Sequence, residues 1–234
     1  MGSNQTQRAS PCRYYAMTTN ARQAEIVIYG DITSYPWLES DVSGYSLSQD
    51  LAGLDVDRIN VHINSYGGDV SEGLTILNTL LRHPAEVVTY VDGFACSAAS
   101  VVFMAGDRRI MAQSSNLLVH PAWCSTTGNA KSLRATAADL DTITEQSVTA
   151  YLARITKSRE ELLELMDTER FLGPEEAVTW GFATEIADLF ESTVPTQSVR
   201  QLVYDRLHPS QEPQKPPVSP THPTELQQFL AALR

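Results

Sequence analysis

The 234-residue sequence is poor in cysteine and has no long hydrophobic run. No apolar stretch approaches the roughly 18 residues that a membrane-spanning helix needs. The N-terminus lacks the apolar segment of a secretory signal. The three cysteines, Cys12, Cys96 and Cys124, form neither a Cys-x-x-Cys pair nor a disulfide framework. We therefore expect a soluble, cytoplasmic protein that has no membrane partner and keeps its thiols reduced.

Positive charge is also scarce. Lysine and arginine together number 17 against 28 aspartates and glutamates, which gives a formal net charge of −11. Nucleic acids and anionic membrane surfaces carry the same sign of charge and would repel such a chain. We therefore expect no nucleic-acid partner, and the sequence gives no reason to expect a cofactor or a bound metal.

The composition divides the chain into four regions. Residues 1–22 are polar and irregular, which predicts a flexible N-terminal segment. Residues 23–190 alternate short apolar runs with amphipathic stretches, and 42% of the whole chain is hydrophobic, which suits one globular domain. Residues 191–223 contain the proline-rich stretch HPSQEPQKPPVSPTHP, which predicts a linker. Residues 224–234, PTELQQFLAALR with its preceding proline, carry apolar side chains at helical spacing and predict a short C-terminal helix.

Periodicity within residues 23–190 indicates the fold class. Five short apolar runs predict β-strands at 25–30, 58–64, 87–93, 108–113 and 116–122. Helices are predicted at 43–54, at 70–83, directly after Ser97, at 131–156 and at 158–166. The helix over 70–83 places Leu74, Leu77 and Leu81 on one face. Because strands alternate with helices, the pattern indicates βαβ units, a largely parallel sheet and an α/β fold.

The stretch INSYGGDV, residues 63–70, is the first candidate for chemistry. A strand that ends in Asn-Ser-x-Gly-Gly before a helix exposes backbone N–H groups, which can bind a phosphate or stabilise an oxyanion. An ordinary strand-to-helix turn, with Gly67 supplying a positive φ, is the alternative. The glycine pair alone has low specificity and leaves both interpretations open.

The stretch DGFACSAAS, residues 92–100, holds two serines among small side chains. The Gly-x-Ser-x-Gly pattern of the common nucleophile elbow is absent. Serine is a favoured helix N-cap, and neighbouring alanines allow close packing. A nucleophile also benefits from a helix N-terminus, where free N–H groups favour a developing anion. Ser97 and Ser100 therefore both remain candidates for a nucleophile or for a helix cap.

A serine nucleophile needs a base, and the chain has five histidines. His62 lies inside a predicted strand and His83 ends a helix, so structural roles are expected for both. His208 and His222 fall in the proline-rich region and are expected to be solvated. His120 ends the strand NLLVH, and sites in open α/β sheets gather beyond the carboxyl ends of strands. His120 is therefore the candidate base.

A carboxylate that orients the imidazole would complete a triad. The segment LELMDTERFLGPEEAVTWG offers Asp167 and Glu169 just before a predicted helix start at Pro174. Most acidic residues simply face water, and the residues alone do not choose between these two.

Four motifs, in this order, resemble the Clp protease proteolytic subunit family, serine peptidases with a crotonase-like fold of repeated ββα units. The motifs are INSYGGDVSEGLTILNTL, DGFACSAASV, SSNLLVHPA and SREELLELMDTERFLGPEEAVTWGFATEI. The resemblance covers about residues 25–190. Tyr66 stands where the family usually has proline, and Pro121 replaces a more usual polar residue.

The resemblance implies a serine endopeptidase. It makes Ser97 the nucleophile, His120 the base, and the N–H groups of Gly68 and Ala98 the oxyanion hole, while Ser100 becomes a packing residue in the helix behind.

The third triad member departs from the family pattern. Counting back two positions from Phe171, the residue in the place of the family's aspartate is Glu169. Glutamate can orient a histidine, but its longer side chain changes the geometry, and Asp167 is the alternative.

The family's assembly and substrates are implied as well. We expect protein or peptide substrates and a ring-like homo-oligomer, a heptamer or a double ring, joined through a handle formed by the helix at 131–156. The stretch IYGDITSYPWLESDVSGYSLSQDL is closer to phage and prophage Clp-like proteases, which resemble capsid (prohead) maturation proteases and act without a regulatory ATPase.

Three alternatives remain. A housekeeping subunit that works with a Clp ATPase is the first, and a catalytically silent ring or scaffold protein is the second. A crotonase-like acyl-CoA enzyme would share the Gly-Gly turn, but it needs no serine–histidine pair, so Ser97 and His120 speak against it.

Overall fold

The computed structural model describes residues 16–20, 22–38 and 40–187. The strands are β1 (Ala16–Asn20), β2 (Gln23–Ile28), β3 (Arg58–Ser65), β4 (Glu86–Cys96), β5 (Arg108–Ala112), β6 (Asn116–Leu118), β7 (Phe171–Leu172) and β8 (Glu185–Ala187). The helices are α1 (Gly44–Leu51), α2 (Val70–Arg82), α3 (Ala98–Phe103), α4 (Ala130–Leu152), α5 (Arg159–Thr168) and α6 (Pro174–Trp180).

One mixed sheet organises these elements. Its main strand order is β1-β2-β3-β4-β5-β8, in which β2 to β8 run parallel and β1 is antiparallel to β2. The long strand β4 pairs first with β5 and then, nearer its carboxyl end, with β6, which in turn pairs antiparallel with β7. The α/β class and the largely parallel sheet predicted from the sequence are therefore confirmed.

The core combines buried residues of the sheet with buried residues from all six helices. On β3 the side chains of Ile59, Val61 and Ile63 alternate inward and are fully buried. Helix α2 turns a slightly different face to the core from the one predicted. Its buried residues are Gly73, Ile76, Leu77 and Leu80. The prediction was wrong for Leu81, which is 50% exposed, because the helix is rotated so that the row through Ile76 and Leu80 faces the sheet.

The sequence specifies several helix ends locally. Ser43 and Ser46 form a capping box at the start of α1, and Ser158 and Glu161 form another at the start of α5. Asn129 accepts hydrogen bonds from two backbone N–H groups at the start of α4. These caps fix where the helices begin and therefore how the chain leaves each strand.

Several predicted boundaries differ from the structure, and three of these differences concern β1, β4 and β6. Residues 16–20, expected to belong to a flexible segment over 1–22, form β1 because a backbone ladder to β2 pairs all five of them. Strand β4 continues three residues beyond the prediction, to Cys96, whereas β6 ends at Leu118 and leaves His120 outside the strand. The predicted linker at 191–223 and C-terminal helix at 224–234 lie outside the described residues.

Helix α4, the predicted handle, packs only through its last turns. Its buried residues are Ser147, Val148 and Tyr151, whereas Leu133 and Ile143 are 42% and 39% exposed. Apolar side chains along the earlier turns of this helix are therefore largely open to solvent in the single chain. No helix in the described part of the chain is both long and apolar enough to cross a membrane.

Candidate functional site

The glycine turn after β3 is hydrogen-bonded to the segment that follows β2. Gly67 and Gly68 have φ values of +100° and +140°, which favour glycine. The Ser65 hydroxyl donates to the Gly30 carbonyl at 2.6 Å and accepts from the Gly67 N–H at 3.0 Å. Ile32 then pairs with Gly68 as an isolated parallel bridge. Hydrogen bonds to the segment that contains Gly30 and Ile32 therefore stabilise this turn, in addition to the positive φ values that its glycines allow.

This bridge leaves one N–H group unused. The Ile32 N–H donates to the Gly67 carbonyl at 2.9 Å, and the Asp69 N–H donates to the Ile32 carbonyl at 2.7 Å. Gly68 lies between them, and its N–H has no acceptor among the residues that the structure describes. Ala98, the first residue of α3, has no intrahelical acceptor for its N–H either. Two backbone donors are thus available where the sequence predicted an oxyanion hole.

Ser97 sits in a strained backbone conformation between β4 and α3. Its φ and ψ are 53° and −126°, and it is one of three non-glycine residues with positive φ in the described ranges, the others being Arg22 and Glu169. Such conformations persist only where the surrounding structure holds them, and they cluster at functional sites. The Ser97 N–H donates to the Leu118 carbonyl at 2.9 Å. Its hydroxyl makes no capping hydrogen bond to α3, so it remains free to react.

Ser100 has a different environment from Ser97. It is fully buried within α3. Its hydroxyl donates to the Ser97 carbonyl at 2.6 Å and shares a 2.8 Å hydrogen bond with the hydroxyl of Tyr151 from α4. The two serines, which the sequence alone did not distinguish, therefore differ in their surroundings. Ser100 is packed in the protein interior, whereas Ser97 lines a cavity.

The pairing of β4 with β6 brings His120 to the same place. Cys96 pairs with Leu118, so β4 and β6 end side by side at the same edge of the sheet. Ser97 and half-buried His120 both line a cavity of about 660 Å³. Gly68 and Ala98 line it as well. In the described part of the chain, no side chain or backbone group hydrogen-bonds to the His120 ring.

The two candidate acids are not part of this cavity. Asp167 is exposed in the last turn of α5, and Glu169 is the exposed C-cap of that helix, with a left-handed φ of 48°. Neither residue is among those that line the cavity. Neither carboxylate makes a hydrogen bond or ion pair with another described residue. The structure thus brings together four of the predicted site residues and leaves the acid apart.

His62 and His83 lie elsewhere, as expected of structural residues. His62 is buried in β3, with its Nδ1 2.9 Å from the Asp92 carboxylate and its Nε2 3.5 Å from that of Glu25. Burial disfavours the imidazolium, but the hydrogen bonds and negative charges of these two carboxylates outweigh it and raise the pKa of His62 to about 9. His83 Nε2 lies 3.2 Å from the Leu54 carbonyl.

Several cavity residues were not predicted from the sequence. Asp31 and Asp69 contribute carboxylates to its lining, and Cys124 contributes an exposed thiol. Tyr66 and Trp123 form aromatic parts of the wall. In the sequence, Tyr66 was noted only as a departure from proline. The bridge between Ile32 and Gly68 carries Asp31 to the site, and no local sequence signal marks that bridge. No group of three or more His, Cys, Asp or Glu side chains suited to a metal ion occurs among the described residues.

Comparison with known proteins gives the family. A family model described as Clp protease matches residues 46–189. The ATP-dependent Clp protease proteolytic subunit of Deinococcus radiodurans is 32% identical over 133 residues, which are 56% of this chain and 65% of that protein. Subunit 3 of Rhodococcus jostii is 30% identical over 148 residues, or 62% of this chain and 73% of that protein. Subunit 1 of Corynebacterium glutamicum is 31% identical over 142 residues, or 59% and 68%.

The chain thus spans about two thirds of the length of these curated relatives. The family model covers more than half of the chain, and the mixed α/β architecture with its parallel sheet is consistent with the crotonase-like fold. On this extent of similarity, the chain belongs to the Clp protease family.

Proposed function

We propose that the chain is a serine endopeptidase in which Ser97 is the nucleophile and His120 the general base. One observation carries the proposal. A serine in a strained conformation, with an uncapped hydroxyl, shares one cavity with a histidine and with two backbone N–H groups that have no described acceptor. Structural packing alone gives no reason to maintain this combination.

The reaction follows from these groups. A ring nitrogen of His120 takes the Ser97 Oγ proton as the oxygen attacks the peptide carbonyl. The N–H groups of Gly68 and Ala98 stabilise the oxyanion that develops on the carbonyl oxygen. His120 then protonates the leaving amine as the C–N bond breaks, which leaves an acyl ester on Ser97. Water attacks that ester, again with His120 as base, and releases the free enzyme.

We propose Glu169 as the acid that orients His120, with Asp167 as the alternative. The left-handed φ of Glu169 supports it, because a non-glycine residue adopts this conformation at some cost. Since neither carboxylate lines the cavity, the segment between α5 and β7 must move for the acid to reach His120. Glu169→Gln and Asp167→Asn separate the two: the variant that removes the orienting acid lowers the rate of reaction at Ser97, and the other leaves it unchanged.

We further propose a ring-like homo-oligomer, a heptamer or a double ring. The exposed apolar side chains of α4, Leu133 and Ile143, support this assembly, since burying them between copies removes apolar surface from water. Native mass spectrometry gives the number of protomers directly. A monomer at micromolar concentration would contradict the proposed assembly but would leave the proposed reaction at Ser97 unaffected.

We propose two biological roles for the peptidase, the preferred one first. The first is maturation of a phage or prophage capsid by cleavage of a scaffold or capsid precursor, supported by the sequence resemblance of the segment that leads into α1. The second is work with a Clp ATPase, supported by the similarity to relatives that are named ATP-dependent Clp protease proteolytic subunits. Cleavage of an unfolded protein without any ATPase favours the first. Cleavage only when a Clp ATPase and ATP are added favours the second.

Covalent labelling with a fluorophosphonate tests the chemistry. We expect the wild-type chain to be labelled at Ser97. Ser97→Ala should take up no label, and His120→Ala should be labelled more slowly than the wild type. Ser71→Ala is the matched control, because Ser71 is an exposed serine in the first turn of α2 and lies outside the cavity. A folded, assembled wild-type protein that takes up no label would refute the active-serine proposal in favour of a silent ring or scaffold protein.

A further inference from the structure

The cavity around Ser97 has an uneven charge. Its described lining includes the carboxylates of Asp31 and Asp69 but no lysine or arginine side chain. His120 is the only lining residue in the described part of the chain that can carry a positive charge, and in the proposed reaction it begins neutral. A substrate in this cavity therefore meets negative charge that no protein cation of the described lining offsets.

Both aspartates are chain neighbours of the bridge that includes Gly68, one half of the predicted oxyanion hole. Ile32 pairs with Gly68, so Asp31 precedes one partner of the bridge and Asp69 follows the other. Each carboxylate belongs to a residue adjacent to this pair, and Gly68 carries the free N–H. Negative charge near this N–H disfavours an oxyanion there unless a cation compensates.

The fold leaves acceptor capacity on both carboxylates, all of it on Asp31 and one oxygen on Asp69. The exposed Asp31 carboxylate accepts no hydrogen bond from the residues that the structure describes. Asp69 occupies the N-cap position of α2, but its side chain does not cap that helix. One of its oxygens accepts from the Ser34 N–H at 3.1 Å and lies 3.4 Å from the Ser34 hydroxyl. An aspartate at this position usually caps its own helix, whereas here its side chain accepts from Ser34.

The wall of the cavity suits a long cationic side chain. Tyr66 is 70% exposed and Trp123 is 73% exposed, although both line the cavity. The Tyr66 ring is held in place by stacking on Phe94, with 5.4 Å between the ring centroids. Aromatic faces pack against the methylene groups of lysine or arginine and attract the charged end. Carboxylates and aromatic rings together favour such a side chain over an acidic or a short one.

We propose that this cavity selects polypeptide substrates with a lysine or arginine beside the scissile bond, and that Asp31 and Asp69 are the selecting groups. The proposal rests on the proposed serine endopeptidase function and names its substrate class. The substrate cation binds the carboxylates and also removes their unfavourable effect on the oxyanion. Its contribution should therefore appear in kcat as well as in KM.

Three fluorogenic peptides test the proposal, identical except for Lys, Gln or Glu beside the scissile bond. For the wild type we expect kcat/KM for the Lys peptide to exceed that for the Gln peptide by about tenfold, because two partly exposed ion pairs contribute a few-fold each. The Glu peptide should be the poorest. Raising the salt concentration should reduce the preference, because salt screens exposed charges.

Charge-removing variants assign the preference to its residues. Asp31→Asn and Asp69→Asn should each lower the Lys-over-Gln ratio about threefold. Asp50→Asn is the matched control, because Asp50 is an exposed carboxylate on α1 outside the cavity, and it should keep the wild-type ratio. Since only ratios are compared, a general loss of activity in a variant does not imitate the effect.

The outcomes separate the two proposals. Fluorophosphonate labelling of Ser97 with equal turnover of the Lys and Gln peptides, or with turnover of none, would overturn the specificity and leave the active serine standing. A preference that survives in both Asp31→Asn and Asp69→Asn would overturn the assignment to these residues. Absence of labelling together with absence of turnover would refute both proposals.

Discussion

Gly67 offers the sharpest test of how the site is built. A methyl group on its Cα would lie 2.6 Å from the Cys96 carbonyl oxygen, 2.8 Å from Ser97 Cβ and 2.9 Å from the Ala98 nitrogen. Two of these three atoms are backbone atoms and cannot rotate away. Gly53 provides a matched control, because it also has a positive φ, +78°, but a methyl group there would meet nothing within 4 Å.

The two alanine substitutions should therefore differ in both stability and reactivity. Each carries the cost of a left-handed residue, about 1–2 kcal/mol. Only Gly67→Ala adds overpacking, about 1–3 kcal/mol more. We expect Gly53→Ala to lower the free energy of unfolding by about 1–2 kcal/mol and Gly67→Ala by about 2–5 kcal/mol. Displacement of Ser97 by about 1 Å should slow its labelling about a hundredfold in Gly67→Ala.

The measurement combines urea unfolding with labelling kinetics. Tryptophan fluorescence follows unfolding at one fixed protomer concentration, because assembly makes stability depend on concentration. The rate of fluorophosphonate reaction is measured without urea, where both variants are folded. Equal destabilisation by the two substitutions, or a wild-type labelling rate in Gly67→Ala, would refute the conclusion that this turn supports the nucleophile directly.

Two further predictions concern buried polar groups. Because the pKa of His62 is raised from 6.5 to about 9 in the folded state, its stabilising contribution is complete below pH 6.5 and is lost as the pH rises through about 9. We expect the unfolding free energy to fall by about 3 kcal/mol over this range, and a pH-independent stability, or the same fall in His62→Gln, would contradict this. Tyr151→Phe removes the 2.8 Å hydrogen bond to Ser100. Since Ser100 keeps its bond to the Ser97 carbonyl, we expect a loss of about 1 kcal/mol in urea unfolding with normal labelling, and an unchanged midpoint would contradict it.

The elements that the sequence predicts best are those with local determinants. The apolar alternation of β3, the glycines that follow it and the amphipathic α2 are adjacent in the chain, so composition and periodicity alone predict a strand, a turn and a helix. His120 could be selected because it follows an apolar run directly, even though β6 ends at Leu118, two residues before it.

The elements that the sequence does not predict depend on distant partners. Ser97 and Ser100 become distinguishable by their own surroundings only when Tyr151 arrives from α4 to bind Ser100. Likewise, Asp31 and Asp69 come together because Ile32 pairs with Gly68 across more than thirty positions of the chain. The exposed side of α2 depended on the exact rotation of the helix on the sheet, which periodicity defines only to within about one position.

The backbone strain at Ser97 also has a consequence for which residue evolution retains at this position. Its φ of 53° lies where glycine is comfortable and serine is not, so the protein forgoes about 1–3 kcal/mol of stability to keep a hydroxyl there. A Ser97→Gly substitution would remove the hydroxyl and relieve the strain in one step. Selection for stability alone would therefore favour loss of the hydroxyl, so a serine is expected to persist at this position only while its proposed reactivity is under selection.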